Sequence, residues 1–557
     1  MLLIECSEIK KYFGDRLILD IENLKVYSED RIGIVGLNGS GKTTLINILS
    51  RRLDPDDGWV KLNGKAGYMS QTEAPDCKFI SSEMASKLCI ETIWNENMSG
   101  GEKTRFKLAA VLDNESSILF ADEPTSNLDI DGIEIMEERF TEYRGALIVI
   151  SHDRSFLDKL CSKILEIENG SIKVYNGNYS DYKEQKTLES ERAQFEYNEY
   201  VSEKRRLERV VNETKQKVKS INGPPKRMGN SEARLHKMGG QKAKKNLDKK
   251  VKNVVKRIEH LELKEKPTAQ SKIKMDILDT GKLHNKIIIE GKKINKKFGS
   301  KLIFNNAEFN IYNGTKTALI GPNGSGKSTL IKMIVNNTSI ANNTGIVGNA
   351  DSIKIAHGAK IGYFSQDMSI LDNSLSIIDN VMGSSPYAEN FARLLLARLL
   401  FKGDSIYKRV GLLSGGEQVK VSFAKILLQD INMLILDEPT NYLDIYSLEV
   451  IEETLREYDK TLLIVSHDRR FINSIVNQVM VIENHKIKLF NCTYDEYIEK
   501  ISSKPSKGDI QQEIILLENR LSEIVGKLSM QLKKAEMEAL DKEYYEASDK
   551  LKRLKSI

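Results

Sequence analysis

Apolar residues fall into two kinds of pattern along this chain. The first is the short unbroken run: RIGIVG (31–36), ILFAD (118–122) and ALIVIS (146–151), mirrored by TALIGP (317–322), MLILD (433–437) and TLLIVS (461–466). Runs this short and apolar throughout predict strands buried on both faces, in a parallel sheet flanked by helices. The second is the helical stripe. One amphipathic run reaches about Ser220, the string NGPPKRMGN (222–230) breaks it, and a second run places Val251, Val254, Val255, Ile258 and Leu261 on one face. Two helices of about 35 residues around a tight turn reach roughly 50 Å. From about Ser502 another helical pair is predicted, with Leu516, Leu517, Leu521, Ile524 and Leu528 at helical spacing. Packing of its two helices on each other accounts for that stripe.

The strand runs belong to a unit written twice. GLNGSGKT (36–43) returns as GPNGSGKS (321–328), and GYMSQ, ending at Gln71, returns as GYFSQ, ending at Gln366. SGGE (99–102) recurs at 414–417, ADEPTSNLD becomes LDEPTNYLD, and SHDRSF becomes SHDRRF. Lys42 and Lys327 are 285 residues apart, the two glutamines 295, and Ser99/Ser414, Glu123/Glu438 and His152/His467 all 315. The second copy therefore carries insertions before its glutamine and before SGGE, expected in surface loops or a peripheral helical part. The predicted fold is α/β: a domain over 1–182, a helical hairpin linker over 183–283 with its tip near 221–238, a second domain over 284–501, and a helical extension over 502–557.

Each G-x-x-x-x-G-K-[ST] follows a strand and opens a helix, the context of a phosphate loop. Gly36, Asn38, Gly39, Ser40 and Gly41 in one copy, and Gly321, Asn323, Gly324, Ser325 and Gly326 in the other, let backbone amides turn onto phosphates at a helix N-terminus. Lys42 and Lys327 supply charge to the β/γ-phosphates, Thr43 and Ser328 a hydroxyl to Mg²⁺, with Thr44 and Thr329 next to them. Asp122 and Asp437 end buried strands, where a Mg²⁺ contact belongs, and Glu123 and Glu438 are placed to polarise the attacking water. Ser99, Gly100 and Gly101, like Ser414, Gly415 and Gly416, open a helix with a hydroxyl, bare amides and a dipole. A second phosphate-binding helix end makes most sense if it caps ATP held by the other copy.

These motifs together resemble the ATP-binding cassette superfamily of P-loop NTPases. The resemblance implies a head-to-tail sandwich with two composite sites, one joining Lys42, Glu123 and His152 to Ser414, the other joining Lys327, Glu438 and His467 to Ser99. It implies ATP and Mg²⁺ as ligands, Gln71 and Gln366 as further metal contacts, and the two histidines as phosphate sensors. Phe13 and Phe298 match the adenine-stacking aromatic, a contact worth about 1–3 kcal/mol by analogy with base stacking; the alternative for either is an ordinary core aromatic. Ser126-Asn127 departs from the family's usual Asn-His, which puts the equivalence of the two sites in question.

Composition narrows the setting. With 40% hydrophobic and 29% charged residues and no apolar stretch of membrane-spanning length, a globular cytoplasmic chain is expected. Five cysteines in no metal-type spacing predict reduced core thiols. The net charge of +5 conceals a concentration: residues 201–260 hold 19 Lys+Arg against 6 Asp+Glu, a net +13, leaving −8 elsewhere. A solvated spacer usually mixes both signs, so a rod this basic predicts binding to a phosphate backbone. Lys226, Arg227, Met228, Arg234, His236 and Lys237 at its tip are the candidate RNA contacts; with no aromatic there, shape and charge fit better than base stacking.

Two cassettes, no membrane domain and a basic helical linker resemble the ABC-F family of translation factors. That resemblance implies binding of the ATP-closed form to the bacterial ribosome at its tRNA exit side, against large-subunit rRNA and peptidyl-tRNA, as a monomer with no permease. Only 26 residues separate Gln71 from Met98, so the arm of the throttle-type members looks absent. The tip KSINGPPKRMGNSEARLHKM looks like the antibiotic-resistance members (Vga-, Lsa- and VmlR-like), implying protection of the peptidyl-transferase centre from lincosamides, streptogramin A and pleuromutilins. The alternatives are a housekeeping factor of the same fold that relieves stalled ribosomes, the ATPase subunit of a membrane transporter, and a DNA-repair cassette ATPase.

Overall fold

The computed structural model describes residues 1–75, 77–114, 116–220, 230–262, 264, 285–342, 352–365, 370–401, 403–441, 443–502 and a few isolated positions between 517 and 551. The first cassette opens with an antiparallel hairpin, β1 (Leu2–Phe13) and β2 (Arg16–Tyr27), followed by β3 (Arg31–Gly36), α1 (Lys42–Leu49), β4 (Asp57–Leu62) and β5 (Ala66–Met69). After the short helix α2 (Ser82–Lys87) come α3 (Gly100–Leu112), β6 (Ile118–Asp122), α4 (Ile130–Glu142), β7 (Ala146–Ile150), α5 (Arg154–Leu160), β8 (Lys163–Glu168) and β9 (Ser171–Asn176). The apolar runs identified above are β3, β6 and β7, central in a sheet of order β5-β6-β7-β3-β8-β9. All its pairings are parallel except β8–β9, and β6 and β7 are buried at every residue because helices cover both faces. A separate sheet, β2-β1-β4, packs over α1.

The linker is α6 (Tyr179–Ser220) and α7 (Asn230–Glu259). Ion pairs Glu203–Arg257 and Glu196–Lys264 advance along one helix as they retreat along the other, so the pair is antiparallel. At 42 residues, α6 is longer than the 35 expected and reaches about 63 Å. It starts at Tyr179, inside the span expected for the first domain, because Asn178 and Asp181 bond reciprocally: each side chain accepts from the other's backbone N–H, at 3.0 Å both ways.

The second cassette repeats the first: β10 (Ile287–Phe298), β11 (Lys301–Tyr312), β12 (Lys316–Ile320), α8 (Lys327–Asn342), β13 (Ile353–Ile355) and β14 (Ile361–Phe364). Here the segment before the signature builds α9 (Ile377–Met382), α10 (Glu389–Arg398) and two 3₁₀ turns, where the first copy has α2 alone. The larger insertion thus forms a peripheral helical part. Then follow α11 (Gly415–Leu427), β15 (Met433–Asp437), α12 (Ile445–Glu457), β16 (Thr461–Val465), α13 (Arg469–Ile475), β17 (Gln478–Glu483), β18 (Lys486–Phe490) and α14 (Tyr494–Ser502). The sheet order β14-β15-β16-β12-β17-β18 matches that of the first copy.

Lys226, Arg227, Met228 and most of the C-terminal extension lie outside the described residues, as do the side chains of Arg234, His236 and Lys237, whose backbone belongs to α7. No helix among the described residues is long and apolar enough to cross a membrane. The expectation of core thiols needs correction. Cys6, Cys161 and Cys492 are buried, but Cys77 and Cys89 are exposed, because the short segment between β5 and α3 has only α2 to cover it.

Candidate functional site

The C-terminal ends of β3 and β12 turn into α1 and α8 through the two glycine-rich loops. Gly41 and Gly326, at φ of 99° and 110°, sit where a Cβ would meet Ile18 Cγ2 at 2.9 Å and Ile303 Cγ2 at 2.5 Å. Glycine is therefore required for the loop to close against the first hairpin of its own cassette. Lys42 donates to the carbonyls of Gly36 (2.9 Å) and Leu37 (3.1 Å), and Lys327 to those of Gly321 (2.6 Å) and Pro322 (3.2 Å), which holds each ammonium within its loop.

One cavity of about 1090 Å³ joins the two cassettes. From the first it is lined by Phe13, Asn38, Gly39, Gly41, Lys42, Thr43, Thr44, Gln71, Ser99, Gly100, Gly101, Asp122, Glu123 and His152. From the second it takes Asn323, Gly324, Lys327, Ser328, Ser414, Gly415, Gly416, Asp437, Glu438 and His467. Gly36, Ser40, Gly321, Ser325, Gly326 and Thr329 belong to the loops and helix starts behind that lining. Phe13 and Phe298 are both more than half exposed, so neither is a core aromatic, but Phe298 lies outside the lining, with Lys296 Nζ 5.2 Å from its ring centre. Gln366 falls outside the described residues.

The carboxylate pairs are set by strand ends. Asp122 and Asp437 accept hydrogen bonds from Thr43 and Ser328. Burial raises both carboxyls, against these hydroxyls and the neighbouring lysines, an arrangement that a bound cation would stabilise. Glu123 and Glu438 follow at φ of 49° and 50°, the left-handed region that costs a non-glycine residue of order 1–3 kcal/mol. The backbone is held there by Glu123 N–H to Ile150 O and Glu438 N–H to Val465 O, both 2.9 Å. His152 Nε2 lies 3.2 Å from Glu123 Oε1, and His467 Nε2 3.3 Å from Glu438 Oε1. Neither approach is aligned as a hydrogen bond. Glu123 Oε1, Glu438 Oε1, His152 Nδ1, His467 Nδ1, Ser40 Oγ and Ser325 Oγ are buried with no partner among the described residues. Four of these unsatisfied atoms belong to residues lining one cavity and two to the phosphate loops behind it, a set that fits a magnesium–triphosphate group.

The two signature serines are N-caps of α3 and α11, each in a capping box with Glu102 or Glu417. The spacing S-x-x-E is the sequence signal for this cap, one that the reading of these serines as phosphate ligands leaves aside. Also left aside is the reach of the aspartates ending the Asp-Glu motif segment. Asp129 Oδ2 accepts from Asn323 N–H at 2.9 Å and Asp444 Oδ2 from Asn38 N–H at 3.4 Å, each contacting the other cassette's phosphate loop. Asn127, in the departing Ser-Asn pair, takes a left-handed φ of 63°, and its carbonyl accepts from Asn323 Nδ2 at 3.3 Å. Ser99 and Ser414 line the same cavity as Lys42 and Lys327, and a Cβ at Gly101 would stand 3.6 Å from Asn323 Nδ2 of the other cassette's phosphate loop.

A model of the ABC transporter family matches residues 19–86 and 304–441. The erythromycin resistance ATP-binding protein MsrA of Staphylococcus epidermidis is 32% identical, over 85% of this chain and 96% of its own length. The ribosome protection protein VmlR of Bacillus subtilis is 30% identical over 99% and 98%. Among solved structures, RNase-L Inhibitor superposes with a TM-score of 0.57 at 19% identity, covering 89% of this chain and 92% of that one. An archaeal ribosome recycling factor, aABCE1, gives 0.56 with the same coverage. At that identity the superpositions speak for the fold: two cassettes in tandem.

Proposed function

This chain belongs to the ABC-F family of tandem-cassette ATPases, and on that footing we propose that it is a ribosome-protection factor whose ATP-closed form binds the bacterial ribosome. Lys42 and Lys327 hold the β/γ-phosphates. Thr43, Asp122 and Gln71, with Ser328, Asp437 and Gln366 in the second site, hold Mg²⁺, which when bound neutralises charge on the transferring phosphoryl group. Glu123 and Glu438 orient the attacking water, His152 and His467 face the terminal phosphate, and Ser414 and Ser99 close each site from the opposite cassette. Phe13 stacks on adenine in the first site. Phe298 serves the second once nucleotide draws it inward.

The basic linker enters on the tRNA exit side against large-subunit rRNA and peptidyl-tRNA. Its tip, with Lys226, Arg227, Met228, Arg234, His236 and Lys237, approaches the peptidyl-transferase centre and displaces lincosamides, streptogramin A or pleuromutilins. The chain works as a cytoplasmic monomer, and hydrolysis releases it. One observation carries the reading: similarity to a named ribosome protection protein extends over 99% of the chain, linker included, rather than over the cassettes alone.

The test is sedimentation of a Glu123→Gln/Glu438→Gln variant with bacterial ribosomes, with and without ATP. Pelleting that depends on ATP is expected; a variant that binds ATP yet stays in the supernatant overturns the reading. Susceptibility of a strain with and without the gene to lincomycin, a streptogramin A, a pleuromutilin and erythromycin then separates drug protection from a housekeeping role.

A further inference from the structure

The root of α6 does not rest on the first cassette alone. Glu166 of β8, 2% exposed, accepts hydrogen bonds from Tyr175 (3.2 Å) of its own sheet, from Tyr182 (2.9 Å) and Lys186 (2.7 Å) of the linker helix, and from Tyr446 of the second cassette. The hydroxyls of Tyr182 and Tyr446 also lie 2.7 Å apart. Burial opposes charge on Glu166, yet Lys186 and the two hydroxyls outweigh it and hold the carboxyl below its ordinary range. A buried carboxylate satisfied by four donors from three elements fixes their relative placement, because losing any donor leaves a desolvated charge short of partners.

A turn along α12, Glu449 accepts from Tyr179 (3.2 Å) and Lys183, and Arg470 of α13 donates to Ser180 Oγ at 2.8 Å. The second cassette thus grips the first two turns of the linker. Tyr446 stands two residues beyond Asp444, whose carboxylate reaches the phosphate loop of the first cassette at Asn38. One short segment therefore touches both the cradle of the first ATP site and the root of the linker.

The repeat supplies an internal control. Displaced by 315 residues, Glu166 corresponds to Val481, Tyr175 to Phe490, Lys183 to Ile498 and Lys186 to Ile501, while Tyr446 corresponds to Asp131. The mirrored location keeps Tyr497 but has no buried carboxylate at the place of Glu166. The polar clamp exists where the linker begins; at the mirrored place Val481, Phe490, Ile498 and Ile501 stand in its positions, with Asp131 in that of Tyr446. With α6 about 63 Å long, a tilt of about 5° at this root moves the far end by about 5 Å.

We propose that Glu166, Tyr182 and Tyr446 are positioning residues that transmit closure of the first ATP site, built on Lys42 and Ser414, to the direction of the linker helix. The second site, built on Lys327 and Ser99, has no such buried carboxylate cluster among the described residues; its tie to the linker root is the exposed contact of Arg470 with Ser180. This rests on the reading that ATP closure aims the linker. It adds which site does so and through which side chains.

The test is a pair of spin labels at Glu213→Cys on α6 and Lys61→Cys on the first cassette. The background carries Cys77→Ser and Cys89→Ser, with Glu123→Gln/Glu438→Gln to retain ATP. Addition of ATP is expected to shift and narrow the label-to-label distance distribution. Tyr446→Phe, and independently Glu166→Gln, should return the ATP-bound distribution to the breadth seen without nucleotide, while Tyr497→Phe at the mirrored place leaves it narrow. With both catalytic glutamates intact, Tyr446→Phe should keep ATP hydrolysis within about twofold, which mere loss of folding would not. If the parent responds to ATP and Tyr446→Phe and Glu166→Gln respond equally, the inference fails alone. It also fails if Tyr497→Phe broadens the distribution as much. If the parent itself shows no ATP-dependent change, the closure reading fails and the inference with it. Pelleting with ribosomes is read separately and bears only on the partner.

Discussion

Arg154 donates to Glu452 Oε2 at 2.6 Å across the boundary between the cassettes, and its repeat counterpart Arg469 donates to Glu137 Oε1 at 2.8 Å. Arg154, Glu452 and Glu137 are buried, and each arginine directly follows the His-Asp pair of its own ATP site. A buried ion pair is weak evidence for net stability, but removing one partner strands the other charge, at about 3–5 kcal/mol. Arg456 also reaches Glu452, at 2.7 Å, so the lower end applies to Arg154→Met. Loss of about 3 kcal/mol from the closed arrangement should reduce steady-state ATP hydrolysis by at least tenfold. Arg154→Met/Glu452→Met removes the two charges of this pair and should recover part of the loss, since buried Asp468, 3.9 Å from Arg154, still goes without it. A double variant as slow as the single one would show that the pair is not coupled to closure.

The pH dependence of hydrolysis follows from the two glutamates. Burial pushes Glu123 up to about 8 and Glu438 up to about 7, against the pull of Lys42 and Lys327. Burial likewise lowers His152 to about 3 and His467 to about 4, so both imidazoles stay neutral near neutrality. A water-orienting carboxylate works in its ionised form, which is present above its pKa and lost as pH falls through it. Turnover at saturating MgATP should therefore rise with pH through neutrality, with no separate contribution from histidine ionisation. Glu438→Gln and Glu123→Gln each leave one intact site, and both should keep this rise with pH, because burial pushes the remaining glutamate up in either case. Profiles that stay flat from about pH 6 to about 9 in both variants would remove the glutamates as the ionising groups.

Each signature helix depends on a side chain outside the phosphate-facing set. Glu102 Oε2 accepts from both Ser99 N–H and Ser99 Oγ at 2.7 Å, and Glu417 does the same for Ser414 at 2.9 and 2.7 Å. Glu102→Ala frees the first turn of α3 and should cost about 1 kcal/mol, a fall of about 2–4 °C in melting temperature for a domain of this size. Glu102→Gln keeps a carbonyl oxygen in the same place and should stay close to the parent by calorimetry. Equal losses in the two variants would mean that the charge, and not the cap, is what matters.

Much of this site was legible because its chemistry demands particular residues at fixed spacing. A loop that turns amides onto phosphates needs glycine at Gly41 and Gly326, and a carboxylate that meets a cation needs a buried strand to end at Asp122 or Asp437. The doubled strand pattern likewise gave the two sheets. What escaped were relationships between residues far apart in sequence. Nothing near Tyr446 announces that it shares Glu166 with Tyr182, and nothing near Asp444 announces Asn38, because each contact exists only once two domains are packed. The early start of α6 at Tyr179 was missed for a local reason: the Asn178–Asp181 cap lies within what reads as the end of the first domain. Cys77 and Cys89 depart from the usual burial of free cysteine because the chain there has too little cover to bury them.

The linker permits a test that needs no tip geometry. Lys244, Lys245, Lys249, Lys250 and Lys252 are exposed along α7, and the carboxylates that pair across the hairpin, Glu196 and Glu203, engage Lys264 and Arg257 instead. Among the described residues these five ammonium groups have no carboxylate partner across the hairpin, as a phosphate-binding surface requires. Each phosphate contact contributes about 0.7 for a single strand and about 0.9 for a B-form duplex to the slope of log affinity against log salt concentration. Replacing Lys249, Lys250 and Lys252 by Gln should lower that slope by about 2 for ribosomes bound by the ATP-retaining variant, and weaken binding most at low salt. ATP hydrolysis without ribosomes should be unchanged, since no described contact joins these lysines to either cassette's site. If the slope is unaltered while affinity falls, the lysines act by shaping the helix, and the phosphate contacts must be sought on the cassettes.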